Sequence, residues 1–155
     1  MEIVCLDQQL FLKDYLQGQE IIDNKGGSRP YYYSFKNGTN RICIPFRSNC
    51  KTVPNKYKIH LGYEQPNKPH SALDLTKLIV ISNQDYLQHK TKVHIPKNVN
   101  NYLKQQHSAV QRKYNAMIKD YIYAKATLKS IPLVKYSTLQ YFHDELKLNN
   151  KINRS

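Results

Sequence analysis

Ser28 to Lys58 reads SRPYYYSFKNGTNRICIPFRSNCKTVPNKYK, and the fold turns on this stretch. A tyrosine-rich strand over Pro30–Lys36, the Asn37-Gly38 pair and an apolar strand over Arg41–Phe46 predict a β-hairpin. The signal is strong because both residues of the tightest hairpin turn must reach positive φ, which Asn and Gly do at low cost. The second strand runs into a polar corner carrying Arg47, Ser48, Asn49 and Lys51. One strand end therefore delivers a hydroxyl, an amide and two cations to the most basic part of the chain. A site for a phosphate-bearing polymer is built in that way.

Outward from the hairpin, Glu2–Leu6 predicts a short first strand and Gln8–Gln17 a helix with Leu10, Phe11, Tyr15 and Leu16 on one side. After the hairpin, Lys56–Leu61 alternates as a strand, and Leu75–Ser82 is the most apolar run, hence a central strand. Tyr86–Ile95 predicts one more strand, ended by Pro96. The period then changes. Val99, Leu103, Val110, Tyr114, Met117, Tyr121, Ala124 and Leu128 recur at helical spacing, giving one long amphipathic helix over 98–128, in which Ser108 is a cap residue that would serve a break. Ser137–Gln140 has the form of a capping box, opening a last helix to about Leu148 before a frayed Lys/Asn-rich end. Strands followed by helices make the class α+β, in a single domain over residues 1–155.

Charge points to the partner. Asn24 to Lys119 hold 17 Lys or Arg against three acids, whereas residues 1–23 hold one Lys and five acids. A field of this kind, within a net charge of +13, is the footprint of a polyanion binder. Thirteen tyrosines favour RNA, because aromatic faces stack on unpaired bases, although many of them serve a core or a strand in any such domain.

Other classes are less well served. No apolar run approaches the length of a membrane span, and the N-terminus, with Glu2 and no basic region, is unlike a secretory signal, so a cytoplasmic protein is expected. Cys5, Cys43 and Cys50 are odd in number and lack ligand spacing, which predicts reduced cysteines, two of them in the core. The six histidines are scattered, and neither a metal nor another cofactor is expected.

The IPFRSNCK corner, the LDLTKLIVI segment, the long helical pattern and the terminal YSTLQYFHDEL together resemble the ToxN/AbiQ-like toxins of type III toxin–antitoxin systems, the CptN and TenpN branches most of all. The resemblance implies a compact, twisted antiparallel sheet akin to the Kid/MazF barrel toxins, with a long helix and a C-terminal helix. It implies a metal-independent, sequence-specific endoribonuclease that cuts cellular mRNA to leave 2′,3′-cyclic phosphate ends. It also implies neutralisation by a structured, repeat-derived antitoxin RNA within a closed protein–RNA assembly. The family's strand-end motif is a Thr/Ser-Ser pair followed by Lys. Ser48 matches the serine and Lys51 the lysine, with one extra residue between them. Arg47 stands where many members carry Thr or Ser, and Arg29 matches a basic residue opening the preceding strand.

The chemistry agrees with this independently of the family. Internal attack by a ribose 2′-oxygen needs that oxygen deprotonated, the phosphorane charge stabilised and the leaving 5′-oxygen protonated. Lys, Arg and Ser supply charge and placement, and a histidine exchanges protons near neutral pH. The candidate catalytic residues are thus Ser48, Lys51, Arg29, His60 and His70, with alternation placing His60 on one face with Lys56 and Lys58. Candidates for RNA contact are Arg47, Asn49, Tyr31, Tyr33 and Lys36, together with Lys56, Lys58, Lys77, Arg112 and Lys113. Two alternatives stand beside this reading. One is a non-catalytic RNA-binding module that uses the same basic, tyrosine-rich face. The other is a barrel-type toxin inhibited by a polypeptide.

Overall fold

A computed structural model describes residues 1–22 and 32–154. Arg29, Tyr31 and the predicted strand start at Pro30 lie outside the described residues. The described residues form, in chain order, β1 (Glu2–Leu6), β2 (Tyr32–Asn37), β3 (Asn40–Arg47), β4 (Lys58–His60), β5 (Ala72–Asp74), β6 (Ile79–Ser82), α1 (Asn83–His89), β7 (Lys90–Thr91), α2 (Lys97–Gln105), α3 (His107–Ala126), α4 (Pro132–Tyr136) and α5 (Leu148–Arg154). The strands make one seven-stranded antiparallel sheet in the order β4-β5-β3-β2-β1-β7, with β6 also on β3. The α+β class holds. The sheet does not close into the expected barrel, since the path ends at β4 and β7.

The hairpin forms with a turn shifted by one residue. Asn37 and Asn40 are the closing pair, so Gly38 and Thr39 make the loop, and only Gly38 has positive φ, at 61°. Glycine at the first loop position is the requirement of a type II′ turn, which twists as the flanking strands do. The central β2 and β3 are covered on both faces. On one face Tyr33 and Phe35 meet α3, the Phe35 and Tyr114 rings packing edge to face with centroids 5.5 Å apart. On the other face Ser34 and Cys43 accompany the buried Arg41, which donates to Ser34 Oγ at 3.1 Å and lies 4.2 Å from the Tyr86 ring centroid. One cluster of buried side chains runs from Val4 to Leu148.

Several predicted elements are replaced for local reasons. The helix expected over Gln8–Gln17 is two 3₁₀ turns, Leu10–Leu12 and Asp14–Leu16, divided by an extended Lys13. The expected central strand Leu75–Ser82 survives only as β6, and β3 takes the centre of the sheet. Asp74 breaks that run: its Oδ1 accepts from Thr76 N and Thr76 Oγ1, folding Leu75–Lys77 into a 3₁₀ turn. The break moves the chain from β5, on the far end of β3, to β6, on its near end. Lys56–Leu61 likewise opens with a 3₁₀ turn at Asn55–Tyr57, leaving β4 as three residues.

Tyr86–Ile95 is mostly not a strand. Ser82 Oγ accepts from Asp85 N and caps α1, which leaves only Lys90–Thr91 to pair with β1. The helical pattern holds, but the one long helix is two, α2 and α3, broken at Gln106 rather than at Ser108. Near the C-terminus, Ser137 makes no cap bond, and the expected helix there is a 3₁₀ turn, Thr138–Tyr141. Thr138 Oγ1 instead donates to the carbonyl of Leu78. The last helix is α5, where a frayed end was expected.

Candidate active site

The end of β3 builds a polar face out of three short strands. Arg47 pairs with Ala72, and Ala72 pairs with His60; Asp74 pairs with Lys58. Side chains two residues apart share a strand face, so Arg47, Asp74, Lys58 and His60 lie on one face, while Phe46, Leu73 and Ile59 turn to the core. Arg47 Nη1 donates to Asp74 Oδ2 at 2.6 Å, and the carboxylate is fully buried. With Thr76 bonded to its other oxygen, Asp74 satisfies the usual condition for a buried charge: a partner and further hydrogen bonds. The guanidinium has five donors, and one goes to Asp74. Its side chain keeps 31% exposure.

The polar corner follows at once. Asn49 Oδ1 accepts from Lys51 N at 3.1 Å, a local side-chain turn that leaves Ser48, Asn49 and Lys51 exposed. Among the described residues, Ser48 Oγ and Lys51 Nζ have no hydrogen-bond partner. Cys50 clamps the corner from within: its N donates to His70 O at 2.8 Å and its O accepts from Lys58 Nζ at 2.7 Å. The first of these bonds brings the exposed His70 beside the corner.

Cys50 is thus structural, and burial pushes its thiol up to about 11. A thiol raised in this way stays protonated near neutral pH, and the thiolate is the reactive form. Burial pushes Cys43 to about 12 and also raises Cys5, which is only half-buried. Iodoacetamide on the native protein should modify Cys5 first, with Cys43 and Cys50 reacting only after denaturation. Mass spectrometry showing early Cys50 modification would contradict this packing.

Beside the corner lies a cleft of about 250 Å³. Its lining comes from three segments: Arg47, Thr52, Val53, Pro54 and Tyr57 from one, Thr76 and Lys77 from the next, and Pro132, Leu133, Tyr136 and Ser137 from the third. Lys77 Nζ ties the parts together, donating to Glu20 Oε1 at 2.9 Å and to Tyr136 O at 2.7 Å. Tyr136 is 57% exposed, and Ser137 Oγ is buried with no partner among the described residues. Tyr57 donates to Asp120 Oδ2 at 2.7 Å; burial and that carboxylate both raise its phenol. The cleft therefore offers two anchored cations and an open aromatic ring, next to the exposed Ser48 and Lys51.

The remaining candidates divide. His60 lies on the polar face with Lys58 as expected, but its Nε2 contacts Pro69 O at 3.1 Å and its ring sits against Tyr63. Lys56 is not on that strand; it occupies the 3₁₀ turn, with Nζ 3.6 Å from Asp120. Lys58 is buried and its ammonium is held by Cys50 O, so it is not a contact for RNA. Tyr33 is fully buried with its hydroxyl 2.6 Å from His107 Nδ1, and its ring has no open face for a base. Lys113 holds Asn55 O at 2.7 Å and Lys58 O at 2.8 Å, its ammonium lowered first by burial and then by Arg112 and Lys58. Lys36 and Arg112 are exposed, away from the cleft lining.

Asp74, Thr76, Tyr57, Tyr136 and Ser137 were missed. The Asp-x-Thr spacing inside an apolar run was the available signal for the first two. Tyr136 and Ser137 reach the cleft only through tertiary folding. Among the described residues, no group of three or more His, Cys, Asp or Glu is placed to hold a metal ion, and no helix is long and apolar enough to cross a membrane. In comparisons with known proteins, the chain matches no family model, no curated protein and no solved structure.

Proposed function

We propose that this chain is an endoribonuclease that cuts RNA by internal attack of a ribose 2′-oxygen, with charge stabilisation from side-chain cations. The observation that carries the reading is the juxtaposition at the end of β3. The exposed Ser48 and Lys51 adjoin a cleft whose Arg47 and Lys77 are fixed by carboxylates. Cations held in place before substrate arrives need little reorganisation when phosphorane charge develops, and this makes such stabilisation effective. Ser48 and Lys51 then place the scissile phosphate, His70 exchanges the proton, and Tyr136 takes a neighbouring base on its open ring. In this reading the antitoxin is a structured RNA occupying the same basic surface, and the substrate is cellular mRNA.

One observation favours the non-catalytic RNA-binding module. Arg47 and Lys77 each already have a carboxylate partner, and Lys58 has none of its donors in the cleft. A single experiment separates the readings. The purified protein, stripped of bound RNA, is incubated with single-stranded RNA in excess EDTA. Strand scission is the expected result. Binding without scission supports the module, and scission that returns only with a divalent ion excludes the cation-based mechanism.

A further inference from the structure

Asp74 and Glu20 each pair with a cation of the cleft, and the two carboxylates are held very differently. Asp74 is fully buried and accepts from Arg47, Thr76 N and Thr76 Oγ1, so parting from Arg47 would strand a buried charge. The Glu20 side chain keeps 23% exposure, and among the described residues its carboxylate accepts from Lys77 alone. Glu20 is not part of the cleft lining. It draws on the Lys77 ammonium from beside the cleft, and water can take over its oxygens when the pair opens.

A short turn seats Glu20 there. Ile21 N donates to Gly18 O at 3.0 Å, closing a turn over Gly18 to Ile21. The turn rests on Tyr141: a Cβ on Gly18 would lie 2.5 Å from ring carbon Cζ, so glycine is what lets the backbone approach this closely. The Tyr141 hydroxyl accepts from Glu20 N at 3.0 Å. Tyr141 ends the 3₁₀ turn that follows the cleft residues Tyr136 and Ser137. One side chain thus joins the N-terminal segment to the C-terminal part of the cleft.

We propose that the Gly18 to Ile21 turn is an autoinhibitory latch, in which the Glu20 carboxylate holds the Lys77 ammonium until a substrate phosphate displaces it. Phosphate as the competitor rests on the proposed function; the latch itself rests on the contrast between the two carboxylates. An ammonium has three donors, and Lys77 gives one to Glu20 and one to Tyr136 O at 2.7 Å. The bond to Tyr136 keeps Lys77 beside the cleft after Glu20 leaves. Exchange of carboxylate for phosphate therefore asks for a rotation of Glu20 and not of Lys77. A carboxylate that served to hold Lys77 in place would have the opposite effect on affinity.

The test follows binding of a single-stranded 2′-O-methyl RNA, which internal attack cannot cut, by fluorescence anisotropy. The proteins are the parent, Glu20→Gln, Tyr141→Phe, Lys77→Met and the double variant Glu20→Gln/Lys77→Met. Glu20→Gln should bind about two- to fivefold more tightly, the worth of a partly exposed ion pair. Tyr141→Phe keeps every charge and the ring under Gly18, and its rise should be smaller. With Lys77→Met already present, Glu20→Gln should change nothing, because no ammonium is left to compete for. Unchanged or weaker binding by Glu20→Gln overturns the latch. So does a gain that persists with Lys77→Met, which would mark a general effect of charge. On ordinary RNA in EDTA, the initial rate of Glu20→Gln at low substrate should rise by the same factor as its affinity. A protein that shows the affinity pattern and cuts no RNA defeats the proposed function and leaves the latch standing.

Discussion

Ser48→Ala should lower the rate of RNA cleavage by about 100- to 1,000-fold, the cost of losing one hydrogen bond made to developing charge in a transition state. The fold should not change, because Ser48 is exposed and supports no hydrogen bond within the described residues. That separation is what makes the variant informative. Its melting temperature and circular dichroism should match the parent, and its affinity for uncut RNA should be nearly parental. Lys51→Ala should show a similar loss of rate together with weaker, less salt-dependent binding, because a positive charge goes with it. Its backbone N–H still reaches Asn49 Oδ1, so the turn itself survives. Single-turnover kinetics on a defined RNA measures both effects. A Ser48→Ala protein that cuts at the parental rate makes the corner an ordinary turn.

Asp74→Ala should be the most destabilising change near the site. It removes a buried carboxylate that anchors Arg47, Thr76 N and Thr76 Oγ1 together. Breaking one side of a buried ion pair costs about 3–5 kcal/mol, and the lower end applies here because Arg47 keeps part of its side chain in water. A loss of about 3 kcal/mol corresponds to a melting temperature lower by roughly 6–12 °C in a domain of this size. The damage should spread to function, since Asp74 also ends the strand that places Lys77. Asp74→Asn keeps an acceptor for Thr76 while losing the ion pair, so it should fall between parent and alanine. Urea unfolding of the three proteins gives the comparison. Equal midpoints would mean that the pair adds nothing to the fold.

Those two expectations rest on different kinds of sequence information. The hairpin was legible because its signals are local: an Asn-Gly pair, alternation, and glycine at the one loop position with positive φ. The long helices were legible because the period of Val99, Leu103, Val110, Tyr114, Met117 and Tyr121 is sustained over many turns. Short elements were not, because single side-chain bonds decide them. Asp74 turns a continuous apolar run into strand, turn and strand, and Ser82 turns an expected strand into α1. Apolar periodicity carries no trace of such bonds.

The site divides along the same line. The corner from Arg47 to Lys51 was readable as a cluster because its residues are neighbours in sequence. The roles of other residues depended on depth, which composition does not reveal. Lys58 and Tyr33 have the right chemistry for RNA but are buried, one on Cys50 O and one against His107. Conversely, Tyr136 and Ser137 join the cleft from about 90 residues away, brought there by the bond from Lys77 to Tyr136 O and the seating of Thr138 on the Leu78 carbonyl. The charge excess of the middle of the chain was plain in the sequence. That Lys147 and Lys151 of the C-terminal segment join Lys36 and Lys119 around one hollow, apart from the cleft, required the fold.

The central claim is attack by the RNA's own 2′-oxygen, and the chemistry of the product ends tests it most directly. A labelled RNA is cut with the purified protein in EDTA, and its fragments are identified by mass spectrometry beside a copy carrying a single 2′-deoxy sugar at the scissile position. The account predicts a 2′,3′-cyclic phosphate and a 5′-hydroxyl on the all-ribose RNA, and no scission at the deoxy position. Fragments ending in a 3′-hydroxyl and a 5′-phosphate, or a deoxy substrate cut as fast as the ribose one, would contradict it.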